Sequence, residues 1–188
     1  MLGPYIDFVA SLFPCISPYT QENAKNALSQ FYSNGKKFQC FTSVKFDGIC
    51  QGDIVSSLPF EITDDDGEIY EHKGPALIIS NSCDIENDKQ FLAAPLFRIE
   101  ELDVDEYTLK NNMYYRLLYF PDEIYRDFIF DLGLIQPFST PAFDNALKEG
   151  RIRILHSLNT VGYYLLISKI TVHLLRPEDV GVQTLRMI

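Results

Sequence analysis

The run Ala76-Leu77-Ile78-Ile79 constrains this chain more than any other stretch. Successive strand side chains point to opposite faces of a sheet, so four apolar residues in a row fit a strand buried on both faces. Gly74-Pro75 precedes the run, and the polar cluster Ser80-Asn81-Ser82-Cys83-Asp84 follows it. Further short strands are predicted nearby. Gly52-Asp53-Ile54-Val55 opens one. Glu61-Ile62-Thr63 and Glu68-Ile69-Tyr70 flank Asp64-Asp65-Asp66-Gly67, a hairpin tip in which Asp-Gly supplies the positive-φ residues. Gln90 to Ala94 and Phe128 to Phe130 add two more. Short strands at close spacing, separated by turn residues, predict a small β-barrel.

The flanks read as helical. Residues 1–43 form an N-terminal helical arm, with a helix carrying Ala24, Ala27, Leu28 and Phe31 and stopped by Asn34-Gly35. Toward the other end, Ile154, Leu158, Val161, Leu165, Ser168, Val172 and Leu175 are spaced 4, 3, 4, 3, 4, 3. That spacing predicts one long C-terminal helix, ended by Arg176-Pro177. Its apolar seam either covers an open face of the barrel or meets a second copy or a partner. Gly162 inside it implies close packing, since glycine costs a helix about 1 kcal/mol against alanine. Pro137 to Pro141 reads as a loop. The fold class is therefore α+β, divided into an arm (1–43), a barrel (44–140) and a C-terminal helix with tail (141–188).

The net charge of -10 is unevenly placed: residues 1–43 carry +1, residues 44–110 carry -11, and the rest balance. An acidic middle disfavours RNA or DNA, whose binding leaves a basic footprint. The longest uncharged apolar-rich run, Ile154 to Ser168, has 15 residues, short of the roughly 20 a membrane helix needs. Cys15, Cys40, Cys50 and Cys83 contain no C-x-x-C pair. They read as reduced thiols of a cytoplasmic protein.

Signatures of catalysis are sparse. The Asp64–Gly67 run fails the calcium-loop template, which would begin at Ile62 and end at Lys73. His72, His156 and His173 hold no metal-ligand spacing, and His156 and His173 fall on the predicted helix about 25 Å apart at 1.5 Å per residue. No metal or cofactor is expected. The cluster Ser80, Asn81, Ser82, Cys83 and Asp84 is the candidate binding rim, because a rigid strand positions it. Its plainer reading has Ser82 or Asp84 capping a turn and Cys83 packed inward. Asp84 beside the thiol opposes thiolate formation.

The order Gly52–Val55, hairpin, Gly74-Pro75-Ala76-Leu77-Ile78-Ile79-Ser80 and Phe91–Leu96 resembles that of the MazF/PemK-type toxins over roughly residues 50–98. The resemblance implies an SH3-like barrel, a dimeric RNA-cutting ancestry and an antitoxin partner. It also implies a catalytic arginine where this chain has Gly74, and a Thr or Ser where it has Leu96. Lys73, Arg98 and Asp84 are then weak catalytic substitutes, with His72 as another proton carrier. The I-S-x-S-C-D-I wording and Gly162-Tyr163-Tyr164 also resemble a set of uncharacterised bacterial proteins. The resulting expectation is a non-catalytic barrel module that binds a cognate protein or a second copy, in a bacterial defence or toxin–antitoxin-type system. The alternative is an endoribonuclease with displaced catalytic residues.

Overall fold

The computed structural model describes residues 39–44, 46, 48–64, 66–174 and 182. The expected helical arm lies outside the described residues except at its end, where Phe41–Thr42 form strand β1 instead. Strand β2 spans Asp53–Thr63, β3 Ile69–Ile78, β4 Gln90–Arg98, β5 Leu117–Leu118, β6 Phe128–Asp131, β7 Gln136–Ser139 and β8 Ile154–Leu158. The helices are α1 (Ser82–Asn87), α2 (Glu106–Lys110), α3 (Thr140–Lys148) and α4 (Thr160–Leu174).

All strand pairs are antiparallel, in the order β1-β8-β2-β3-β4-β6-β5, with β7 also on β4. The fold is thus α+β, but the expected barrel is not closed; the sheet ends at β1 and β5. Strand β4 bends so much that it pairs β7 at Gln90–Ala93, β3 at Ala93–Pro95 and β6 at Leu96–Arg98. Strands β1 and β8 come from outside the 44–140 stretch.

Strand β3 is buried on both faces at its inner end. Ala76 and Ile78 join a core with Val55, Phe60, Phe91 and Phe143. Leu77 and Ile79 join another with Ile54, Phe120, Phe130 and Leu166. Each such Val, Leu, Ile or Phe side chain contributes roughly 1.5–3 kcal/mol when fully buried. The hairpin tip forms as expected, with Gly67 at φ 85° and its amide on the Asp64 carbonyl. Beyond their shared neighbours, β2 and β3 continue as a two-stranded ribbon. Gln136 braces it by donating to the Glu61 carbonyl at 2.6 Å and accepting from the Glu61 amide at 3.2 Å.

Two further expectations about the later elements fail. The first is the single helix over 154–175. Residues Ile154–Leu158 are strand β8, paired with β2 and β1, and the helix starts at Thr160. Asn159 makes the break: its Oδ1 accepts from the Gly162 amide at 3.0 Å, a side-chain cap that a continuous helix would not use. Its most buried residues are Gly162, Tyr164, Leu166 and Lys169; of the predicted seam, Val161 and Leu165 pack against the core in part and Val172 is exposed. The second is the Pro137–Pro141 loop. It holds β7 and the start of α3, where Ser139 caps and Pro141 sits in the first turn, a position that loses no hydrogen bond. The close packing inferred from Gly162 is present, since a Cβ there would collide with the Cys40 carbonyl and Leu158.

Candidate functional site

The polar rim after β3 is folded into the structure rather than held out from it. The Ser80 hydroxyl accepts from the Leu92 amide at 2.8 Å, and the Ser82 hydroxyl accepts from the Gln51 amide at 3.0 Å. Gln51 in turn donates to the Ile79 carbonyl at 2.7 Å and accepts from the Tyr163 hydroxyl at 3.2 Å. The turn expected after Ile79 becomes the short helix α1. Its cap is Asn81, which accepts from the Cys83 amide at 2.9 Å; neither Ser82 nor Asp84 serves. Cys83 is exposed instead of packed inward, and Asp84 is exposed in the first turn. Of the five, Ser80 ties β3 to β4 and Ser82 holds the turn before β2, while Asn81 caps α1 and Cys83 and Asp84 face outward.

Beneath that turn lies Asp53, 1% exposed. One carboxylate oxygen accepts from the Cys50 amide at 2.7 Å, and the other has no hydrogen-bond partner among the described residues. Burial raises the Asp53 carboxyl above its usual range, against the Ser157 hydroxyl and the Cys50 amide. Burial and then Asp53 push the Cys50 thiol upward, so it is a poor nucleophile.

The substitute catalytic groups do not converge. Lys73 is exposed on the ribbon opposite Pro59. Five residues of strand, roughly 16 Å at 3.3 Å each, separate it from the end of β3, beyond which Asp84 stands. The Arg98 guanidinium pairs with Glu100 at 3.2 Å and lies 5.5 Å over the Phe128 ring. The His72 ring rests on Phe97, with Nε2 3.2 Å from the Leu96 carbonyl. Gly74 and Leu96 supply no functional side chain.

A different site was not legible in the sequence. An open groove of about 1580 Å³ runs between β1, α2 and the segment before β6. Phe41, Tyr119, Pro121 and Ile124 give it apolar walls, and His156 lies in its lining. His156 Nδ1 is 2.9 Å from the buried Tyr125 hydroxyl, and Phe41 packs on both rings. Asp122, 8% exposed, accepts from the Cys40 amide at 2.9 Å and the Ile124 amide at 3.1 Å. Burial, and secondly the Asp122 charge, raise both the Tyr125 hydroxyl and the Cys40 thiol, the latter to about 12. Tyr125 therefore stays neutral and pairs with His156 as a hydroxyl. At the rim, Lys110 pairs with Glu106 at 2.6 Å and Arg126 with Asp127 at 3.3 Å.

No group of His, Cys, Asp and Glu among the described residues is arranged to hold a metal ion. No described helix is long and apolar enough to cross a membrane. No protein-family model and no curated protein matches this chain.

Proposed function

We propose that this chain is a non-catalytic, barrel-like module that binds a partner protein, in a bacterial defence or toxin–antitoxin-type system of the cytoplasm. The groove is the observation that carries this reading. Ile124 and Tyr107 stand 49% and 69% exposed at its border, beside the rings of Phe41 and Tyr119. Aromatic and aliphatic side chains around a concave surface, rimmed by paired charges, are the makings of a protein interface. The scattering of Lys73, Arg98 and Asp84 supports the absence of phosphodiester cleavage, which needs a proton carrier and a charge stabiliser aimed at one phosphate.

The endoribonuclease reading keeps one observation in its favour: a histidine hydrogen-bonded to a tyrosine in a groove bordered by Lys110 and Arg126. One experiment separates the two. Purified protein is incubated with total RNA beside His156→Ala and the double variant Lys73→Ala, Arg98→Ala. The partner-binding reading expects intact RNA throughout, and stoichiometric capture of one protein that Ile124→Asp abolishes. Cleavage by the wild type that disappears in either variant would replace it with the nuclease.

A further inference from the structure

Gln39 and Cys40 are pinned to the wall of the groove. The Gln39 carbonyl accepts from the Asn159 side chain at 2.6 Å, and the Cys40 carbonyl accepts from the Asn159 amide at 2.9 Å. The Cys40 amide donates to Asp122 at 2.9 Å. Gln39, Asp122 and Asn159 all line the groove. The 38 residues that precede Gln39 therefore enter the described fold at this groove.

The start of that stretch has the chemistry of a groove ligand. Between Pro4 and Pro14 stand Tyr5-Ile6-Asp7-Phe8-Val9-Ala10-Ser11-Leu12-Phe13, seven apolar residues of nine with one charge. Tyr5, Phe8, Val9 and Leu12 follow the i, i+3, i+4, i+7 spacing of segments that lay an apolar helix face into a hydrophobic groove. The facing surface suits them: Phe41, Tyr119, Pro121 and Ile124 are its apolar walls, and Ile124 is 49% exposed. Charge does not oppose the fit, since the lining holds Lys110 and Arg126 for Asp7 as well as acids.

Resting on the reading of this groove as a protein-docking surface, we propose that residues 4–14 of the same chain lie in it, and that a partner protein gains the groove only by displacing them. Reach and concentration favour this occupant. The 24 residues from Cys15 to Phe38 span roughly 25–30 Å as a coil and about 36 Å as a helix. A cube of the groove's 1580 Å³ measures only about 12 Å on a side. A flexible tether of this order holds its end at an effective concentration in the millimolar range. A segment that binds at about 100 µM from free solution is then about nine-tenths docked when tethered. A free protein at micromolar concentration competes only if it binds far more tightly.

The chain contains no tryptophan, so Phe8→Trp provides a single fluorescent reporter in the full chain. Its emission should be blue-shifted relative to the same residue in a synthetic peptide of residues 4–14, and unchanged on dilution. Adding Ile124→Asp should move it to the red. The second readout is binding of a dye-labelled peptide of residues 4–14. The full-length variant Phe8→Asp, Leu12→Asp should bind it about tenfold or more tightly than wild type, whose own segment competes. Ile124→Asp added to that variant should abolish the binding, and thermal melts confirm that each variant is folded. Emission equal to that of the peptide overturns the proposal, as does a blue shift lost on dilution, which means that a second copy supplies the segment. So does a peptide that binds wild type and the opened variant alike, or that ignores Ile124→Asp. Failure of the partner reading shows separately: the opened variant captures no protein while both readouts hold.

Discussion

The Lys169 ammonium donates to the Asn112 carbonyl at 2.8 Å, 57 residues away, and its second bond goes to the Tyr114 carbonyl. Asn112 adopts φ 55°, a conformation asparagine tolerates better than most residues, and its side chain holds both backbone groups of Tyr119 at 2.8 Å. Helix α4 is thereby fastened to the segment between α2 and β5 by a cation 6% exposed.

This lysine sets a pH dependence. Burial lowers it to about 8 from 10.5. The unfolded chain thus holds the proton over a range in which the folded chain has released it. Stability owed to this group rises with pH between about 8 and 10.5, and its cost is fully present below 8. Comparing urea unfolding of wild type and Lys169→Met across that range cancels the other titrating groups. The wild type should gain on the variant as pH rises, by roughly 3 kcal/mol at most at 1.36 kcal/mol per pKa unit.

Asp53 works in the opposite sense. Its carboxyl is raised by burial, so the folded state holds a proton more firmly than the unfolded one. Stability from this group is greatest in acid and is lost as pH climbs through the folded value. Asp53→Asn keeps an oxygen for the Cys50 amide and carries no charge. The variant should equal or exceed wild-type stability at pH 7, and the gap should close as the pH falls into the acid range where both states are protonated. A variant clearly less stable at pH 7 would show that the buried charge is well compensated.

Gly162→Ala should destabilise the fold by about 1–3 kcal/mol, the usual range for overpacking. The added methyl meets a backbone carbonyl at Cys40, which gives way less easily than a side chain. Denaturant midpoints measure this, and an unchanged midpoint would mean that β1 can shift outward at little cost.

Thiol labelling should follow exposure. Among the three described cysteines, with iodoacetamide at pH 8, Cys83 should react first, Cys50 more slowly, and Cys40 only on unfolding, because Cys40 is 1% exposed and raised to about 12. Peptide mass spectrometry reads the order directly.

Gln136→Ala should free the outer end of the ribbon. Two hydrogen bonds to Glu61 are lost, at about 1 kcal/mol each. Amide exchange at Glu61 should quicken while that of Leu77 does not.

The strands that read clearly from sequence are those with one dominant signal. Ala76–Ile79 had an unbroken apolar run, and Asp66-Gly67 marked its hairpin, so β3 and the tip follow from local chemistry. Strand β8 was obscured because Ile154 and Leu158, four apart, suit a helix as well as a strand. The local cap at Asn159 marks the break, and the pairing of Ile154–Leu158 with β1 and β2, a tertiary outcome, decides between them. Prolines hid β7 and α3: Pro137 sits in a strand and Pro141 in a first helical turn, both places where the missing N–H costs little. The groove was illegible for a simpler reason. Phe41, the Tyr119–Tyr125 segment and His156 lie far apart in sequence and meet only through the β1–β8 pairing and the packing of Tyr125.

Asn159 has one further consequence, for synthesis on the ribosome. Its side chain donates to the Gln39 carbonyl at 2.6 Å, and its amide bonds the Cys40 carbonyl, so the segment leading into β1 is gripped by a residue 120 positions downstream. At 5–20 residues per second the nascent segment waits roughly 6–24 seconds for its clasp to be made. Until then the groove that β1 helps to wall lacks that wall, and a ligand that needs it can engage only a chain in which Asn159 has been made.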